Sequence, residues 1–413
     1  MTTVAGSPPV VQMGAPGVYR QDVVLLPAPA LVTGCPIILG YASGGPTLEP
    51  TLVTTVTEFS NQFTADPSDG YVADTVQAFF VNGGQQAWIV RLEDLGSSVT
   101  ALRAHADGLN AATSVDADLV CAPDIVRQRG AGYTPGAVLP PDPEEVAVMQ
   151  EAVIADCELR GTRIAILDAL PSAVLAAQGE STGSTASNPI DGGLLWQRGR
   201  LSSADAALYH PWLSPATGRF VPPCGAVAGI IARSDQQTGV QKAPANQAVT
   251  GVIDIEDVVD AARQGPLNQA GVNCIRAFPG RGILVWGART VSSDSAWTYL
   301  NVRRVVLTAA RWAALALQQV VFEPSSPPTW ARVTRLVGGY LGSLYQQGAL
   351  VGATAADAFS VSCNATTNPP EIGELGQLVV EITLNPGLPN ETVLVRLVRD
   401  VTGVTIESSS SSG

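Results

Sequence analysis

Apolar positions fall into short clusters separated by Gly, Pro, Asn and Ser, and the period of each cluster predicts its element. Val18 to Leu26 is one extended piece ended by Pro27 and Pro29, inside a Pro- and Gly-rich stretch 1–30 with too little apolar surface for its own core. That stretch is expected to be a tail or an arm. Pro36 to Gly40 and Thr51 to Val56 predict short strands, and Gln86 to Leu92 another. Between them Val72, Val76, Phe79 and Phe80 lie on one side of a helix over 72–81, which Asn82-Gly83-Gly84 stops.

From about 96 to 285 helices and strands alternate. A helix over Pro143 to Arg160 precedes a strand over Arg163 to Asp168. Further short strands are expected near 226–232 and 272–278, a helix near 254–263, and a loop over the Gly/Ser/Thr stretch 179–193. Such alternation predicts an α/β layer architecture. Over 302–348 the helical signal is clearest. Val302, Val305, Val306, Ala309, Ala313, Leu317 and Val320 share one spacing, and Arg304, Arg311 and Gln318 another. Ser326-Pro327 opens a second helix through Trp330, Val333, Val337, Tyr340, Leu341 and Leu344, which ends before Gly348. Arg332, Arg335 and Gly339 share its other side. Beyond it the period becomes two, with Leu378, Val380, Ile382 and Leu384 alternating, then a turn over Asn385 to Asn390 and a second alternation in Val393, Val395 and Leu397. The Ser-rich end is expected to be disordered.

The length, 413 residues, suggests two or three domains. Charged residues are only 14% and hydrophobic ones 46%, which excludes wholesale disorder and suggests a surface hidden against other copies. A net charge of −13 argues against nucleic-acid binding. Its distribution is uneven. Residues 272–346 hold eight Arg against two acids, while 1–271 hold 13 basic and 27 acidic groups. This all-arginine island suits an acidic partner, because a guanidinium grips carboxylates bidentately; the alternative is a solvated face.

The N-terminus carries no secretory pattern, and the apolar stretch Val305 to Phe322 contains Arg311, Gln318 and Gln319, so it reads as a buried helix rather than a membrane span. Six cysteines lie 36 to 89 residues apart without a CxxC pair, which reads as free buried thiols in a reducing cytoplasm. His105 and His210 are the two histidines, and no GxSxG accompanies them. His210, in Leu208-Tyr-His-Pro-Trp212, reads as packing. The acidic run Asp254, Glu256, Asp257 and Asp260 lacks the spacing of a calcium loop and reads as acids in a first helical turn. Gly280-Arg281-Gly282 reads as a turn between strands, and Asn364-Ala-Thr366 and Asn390-Glu-Thr392 as chance matches to a glycosylation pattern. No catalytic residue, metal site or cofactor is expected.

A series of short motifs resembles the contractile tail sheath proteins of bacteriophages and phage-tail-like particles. It begins with Pro16-Gly17-Val18-Tyr19, Gly40-Tyr-Ala-Ser-Gly-Gly-Pro46 and Phe79-Phe-Val-Asn-Gly-Gly84. Arg163-Ile-Ala-Ile-Leu-Asp168, Val221-Pro-Pro223 and Lys242-Ala-Pro-Ala-Asn246 follow. The most specific run is Asn273-Cys-Ile-Arg-Ala-Phe-Pro-Gly-Arg-Gly282, Val285-Trp-Gly-Ala-Arg-Thr290 and Tyr299-Leu-Asn-Val-Arg-Arg304, continued by Phe322-Glu-Pro324 and Thr367-Asn-Pro-Pro370. The similarity covers nearly the whole chain.

The resemblance implies a multi-domain fold, α/β with an α+β C-terminal domain, whose extended terminal β-arms are exchanged between protomers. It implies an N-terminal arm over 1–30, an N-terminal part of the inner domain over 31–95 and an outer subtilisin-like domain without protease activity over 96–285. A tube-facing domain over 286–390 and a C-terminal arm and tail over 391–413 complete the division. Such subunits stack as hexameric rings around an inner tube, and their contraction drives the tube through a target envelope. The implied partners are other copies, the tube protein, and baseplate and terminator or cap proteins, with no nucleic acid and no membrane insertion. Assembly in the bacterial cytoplasm and a place in a particle or virion follow. Arg303, Arg304, Arg311, Arg332 and Arg335 are then expected to face the tube. Val18, Tyr19, Val23 and Leu25, with Val393, Val395 and Leu397, are expected in the exchanged strands. The single-chain layout argues against a two-protein sheath, while phage tail, injection device and tailocin stay open. A different class, an α/β hydrolase-like enzyme, is suggested only by the strand–helix alternation and would need a histidine beside a nucleophile.

Overall fold

The computed structural model describes residues 31–66, 69–94, 100–127, 140–216, 218–391, 394–400 and 403–409. The expected arm positions Val18, Tyr19, Val23 and Leu25 lie outside these residues, as does Val393.

In chain order the first elements are β1 (Pro36–Gly40), β2 (Thr51–Val53), α1 (Val56–Gln62), α2 (Val72–Val81), β3 (Ala87–Arg91), α3 (Ala101–Ala111), β4 (Leu119–Cys121), α4 (Pro143–Arg160), β5 (Ile164–Asp168), α5 (Ser172–Ser181) and α6 (Pro189–Arg200). Then come β6 (Ala206–His210), β7 (Leu213–Pro215), α7 (Cys224–Gln237), β8 (Gln247–Ala248), β9 (Val252–Ile255), α8 (Ala261–Ala270), β10 (Val272–Phe278) and β11 (Gly282–Val285). The helices α9 (Leu300–Leu317) and α10 (Pro327–Gln346) lead to β12 (Phe359–Ser362), β13 (Glu381–Leu384), β14 (Leu394–Asp400) and β15 (Gly403–Ser409).

Nine strands form one sheet in the order β2-β3-β1-β4-β5-β6-β10-β11-β8. From β3 to β10 all neighbours are parallel, and β2, β11 and β8 add antiparallel edges. Parallel strands must be covered on both faces, and two apolar layers do so. One face packs Leu39, Val120, Leu167 and Leu208 against α3, α4, α5, α6 and α8. The other packs Ile38, Ile89, Ile166 and Tyr209 against α1, α2 and α7. A third core joins α9, α10 and the β12–β13 pair, with Trp312 stacked on Tyr340 at 4.0 Å. The mixed α/β class is as expected.

Residues 31–95 contribute β1, β2 and β3 to the same sheet as 96–285, because β1 pairs with both β3 and β4. Residues 286–299 also stay with the sheet, through Trp286 N–H to the Cys274 carbonyl at 2.8 Å and Val291 N–H to the Ala206 carbonyl at 2.8 Å.

Several elements differ from the pattern-based reading. The apolar run 226–232 belongs to helix α7, whose buried length carries no polar face to reveal its period. Its glycines allow α2 to approach closely: a Cβ on Gly225 would sit 2.4 Å from the Thr75 carbonyl oxygen, and one on Gly229 2.4 Å from that of Phe79. The expected loop 179–193 shrinks to 182–188 between α5 and α6. The expected helix 254–263 divides into β9 and the start of α8. Residues 54–62, beyond the shortened β2, turn into α1, capped by the Thr55 hydroxyl accepting from Glu58 N–H. At the C-terminus β13 pairs with β12, and β14 with β15, whose last two residues, Ser408 and Ser409, belong to the Ser-rich end expected to be disordered.

Candidate functional site: the arginine helices and the open strand pairs

Helix α9 is apolar on two sides. Leu300 and Leu307 enter the core shared with the sheet, while Val305, Ala309, Trp312, Ala313 and Ala316 enter the core shared with α10. An arginine between two such faces cannot reach solvent, and its charge must be met inside. Arg304 is 3% exposed, and its two terminal nitrogens donate to Asp235 at 2.7 and 2.6 Å and to Asp118 at 3.0 Å. Asp118 also accepts the N–H groups of Gly34 at 3.0 Å and Cys35 at 2.8 Å, just before β1. Burial disfavours the charged form of Arg304, yet Asp235 and Asp118 outweigh it and hold its pKa above the ordinary arginine value. Arg311, 4% exposed, donates to Asp116 at 2.6 Å and to the Val32 carbonyl at 3.2 Å. Arg303 grips Asp205 bidentately at 2.6 and 2.9 Å and lies over the Trp297 ring.

Three of the five arginines expected to face a tube therefore clamp α9 onto the sheet. Arg303, Arg304 and Arg311 present no free guanidinium, because acids from loops before β4 and β6 and from α7 have taken them up. Spacing along the helix located the stripe. The four aspartates opposite it lie 69 to 195 residues away in sequence and carried no local signal.

Helix α10 keeps the other two in the open. Ser326 stands at its N-cap with Pro327 in the first turn, and Gly348 follows it in a left-handed conformation at φ 75°. Its buried side is Val333, Val337, Leu341 and Leu344. On the opposite side Arg332 is 52% exposed and paired with Glu323, and Arg335 is exposed with no ion-pair partner among the described residues. Next to them the α9–α10 connection holds Phe322 fully exposed at φ 69°, at the mouth of a cleft of about 480 Å³ lined by Leu317, Val320, Thr329, Leu378 and Val380.

The strand pairs β12–β13 and β14–β15 each contain two strands only, so their outer backbone edges meet no further strand among the described residues. In β14, Val395 stands opposite Ser408 and Leu397 opposite Ile406.

His210 is fully buried at the end of β6, and its Nε2 lies 2.9 Å from the Asp257 carboxylate. Arg263 joins Asp257 to Asp191, each at 2.7 Å. Burial alone would raise Asp257, but hydrogen bonds from His210 and Arg263 hold it well below the usual carboxylate range. Of the acidic run, Asp260 caps α8 and Glu256 accepts the Ser172 N–H, so these acids tie loops together rather than filling one helical turn. His105 is equally buried, with Nδ1 2.8 Å from the Ala101 carbonyl. Among the described residues no three His, Cys, Asp or Glu side chains are grouped as metal ligands, and no helix is long and apolar enough to cross a membrane.

A profile described as the central domain of phage tail sheath proteins matches residues 197–291, the stretch from α6 to the loop after β11. The tail sheath protein of Vibrio phage KVP40 is 25% identical over 172 residues, 41% of this chain. The chain spans about a quarter of the length of such curated relatives. Among solved structures, a chain of the anti-feeding prophage baseplate superposes with a TM-score of 0.72 at 25% identity, covering 94% of this chain and 100% of that one. The helical sheath of the same particle in its contracted state gives 0.71 at 25% identity, with coverages of 94% and 100%. The three-layer sheet and the helix pair that follows it thus have their counterpart in contractile sheath particles, and residues 197–291 match the central domain of phage tail sheath proteins.

Proposed function

We propose that the protein is the sheath subunit of a contractile injection machine, stacking as hexameric rings around an inner tube and shortening to drive that tube through a target envelope. The observation that carries this reading is the near-complete superposition on sheath and baseplate chains of the anti-feeding prophage, which leaves no large part of the fold over for another task. Full coverage of those chains, against a quarter of the phage relatives, favours an injection device over a phage tail. Subunits assemble in the bacterial cytoplasm and become part of the particle, meeting other copies, the tube, the baseplate and a terminator or cap.

The terminal strands link protomers. A strand added to an open edge gains main-chain hydrogen bonds without a preformed pocket, and β12–β13 and β14–β15 both offer such edges. The N-terminal segment with Val18, Tyr19, Val23 and Leu25, and the C-terminal one with Val393, Val395 and Leu397, are the donors. Arg332 and Arg335, on the outer side of α10, face the acidic tube; Arg303, Arg304 and Arg311 support that face from inside the subunit. Stored work comes from the difference between two packings of whole subunits and requires no nucleotide.

Purified protein at high concentration, viewed by negative-stain microscopy, should form long striated tubes, and particles should occur in two lengths. A protein that stays a single globule under these conditions would overturn the assignment.

A further inference from the structure

We infer that Arg289 and Glu391 act as a clamp that sets the direction in which the C-terminal strand pair leaves the subunit; this rests on the reading that β14–β15 is handed to a neighbour. Glu391 lies three residues before β14. From β13 the chain runs along the helix unit, with Asn385 accepting the Val351 N–H at 2.8 Å and Gly387 N–H donating to the Ala349 carbonyl at 3.1 Å. Asn301, near the start of α9, donates to the Gly387 carbonyl at 3.3 Å. Glu391 is then caught by the sheet unit: Arg289 Nε donates to one carboxylate oxygen at 2.9 Å, and its terminal nitrogen to the other.

The gripping side is rigid. Arg289 N–H donates to Asn273 Oδ1 at 2.7 Å, and its carbonyl accepts from Asn273 Nδ2 at 2.7 Å. Asn273 is fully buried on β10. The guanidinium also lies over the Tyr299 ring at 5.8 Å, and Arg289 pairs with Tyr299 as an isolated antiparallel bridge. A planar fork held at both its backbone and its face fixes the carboxylate in angle as well as in distance. Among the described residues Glu391 is thus the last anchored side chain before the terminal strands, and its partner is 102 residues away. Both residues are positioning residues: they act through the chain that leads into β14 and decide where it starts.

The test uses Glu391→Gln, the charge swap Arg289→Glu with Glu391→Arg, and a truncation after Glu391, each compared with the full chain for thermal midpoint and for the concentration at which tubes form. Glu391→Gln should keep the thermal midpoint while raising the critical concentration roughly tenfold, the factor that a loss of about 1.4 kcal/mol in strand delivery produces. The charge swap should restore most of that factor. The clamp is refuted if Glu391→Gln polymerises like the parent, or if its midpoint falls in step with assembly and the swap restores neither. If the truncated chain polymerises normally, strand donation itself is wrong; if the truncation blocks assembly while Glu391→Gln does not, only the clamp is wrong.

Discussion

At the scale of single residues, burial decides what a charge can do. Arg304 lies between two apolar faces, and its removal would strand Asp118 and Asp235 without a counter-charge. Arg304→Met is expected to cost about 3–5 kcal/mol, seen as a lowered midpoint in chemical denaturation, before any effect on assembly. Asp168, at the end of β5, is the opposite case. Burial pushes its carboxyl up to about 7, against a weaker pull from the Cys224 N–H at 2.8 Å. The folded protein therefore holds a proton that the unfolded chain loses near pH 4, so this group's contribution is complete at low pH and fades as pH rises to 7. Asp168→Asn should remove that fade, gaining about 3 kcal/mol over the parent between pH 5 and 8. His105 works the other way, since burial lowers it to about 4 and stability is lost as pH falls from 6.5. The difference between Asp168→Asn and parent, measured by denaturation at several pH values, isolates Asp168; a constant difference would contradict the assignment.

Elements with marked ends were legible in the sequence, and elements without them were not. Asp142-Pro143 and Gly161 delimit α4, and Ser326-Pro327 with Gly348 delimit α10, because a cap, a fixed φ and a left-handed residue are local chemistry. Strands β1 and β5 show as compact apolar runs. By contrast α7 is buried all round and reads like a strand. The pair α5–α6 was obscured by glycines that look like loop but serve contact: a Cβ on Gly179 would lie 2.0 Å from the Pro189 carbonyl oxygen. The arginine stripe was visible, but its partners were not, because long-range ion pairs leave no periodic trace. The same limit hid the β12–β13 pairing, where the turn at 385–390 suggested β13 with the next strand instead.

For the whole molecule, burial divides the arginine island into side chains paired inside the subunit and two on its surface. Arg332 and Arg335 lie outside the packed interior, so Arg332→Glu with Arg335→Glu should change subunit stability by no more than about 0.5 kcal/mol. The same double variant should still form sheath-like tubes but fail to retain the inner tube, and added salt should mimic it in the parent, because exposed charges are screened within about 8–10 Å at moderate ionic strength. Tube-filled particles from the double variant, counted by microscopy, would remove these two side chains from the interface.

Helix α9 has one flank in the core of the sheet and the other in the core of the helix pair, with its arginines riveted to loops of the sheet. An axle shared by two housings lets neither turn without the other. A pull applied at the helix pair must then reach the helices on the sheet with little loss, and under the proposed sheath function the give has to lie between subunits rather than within one.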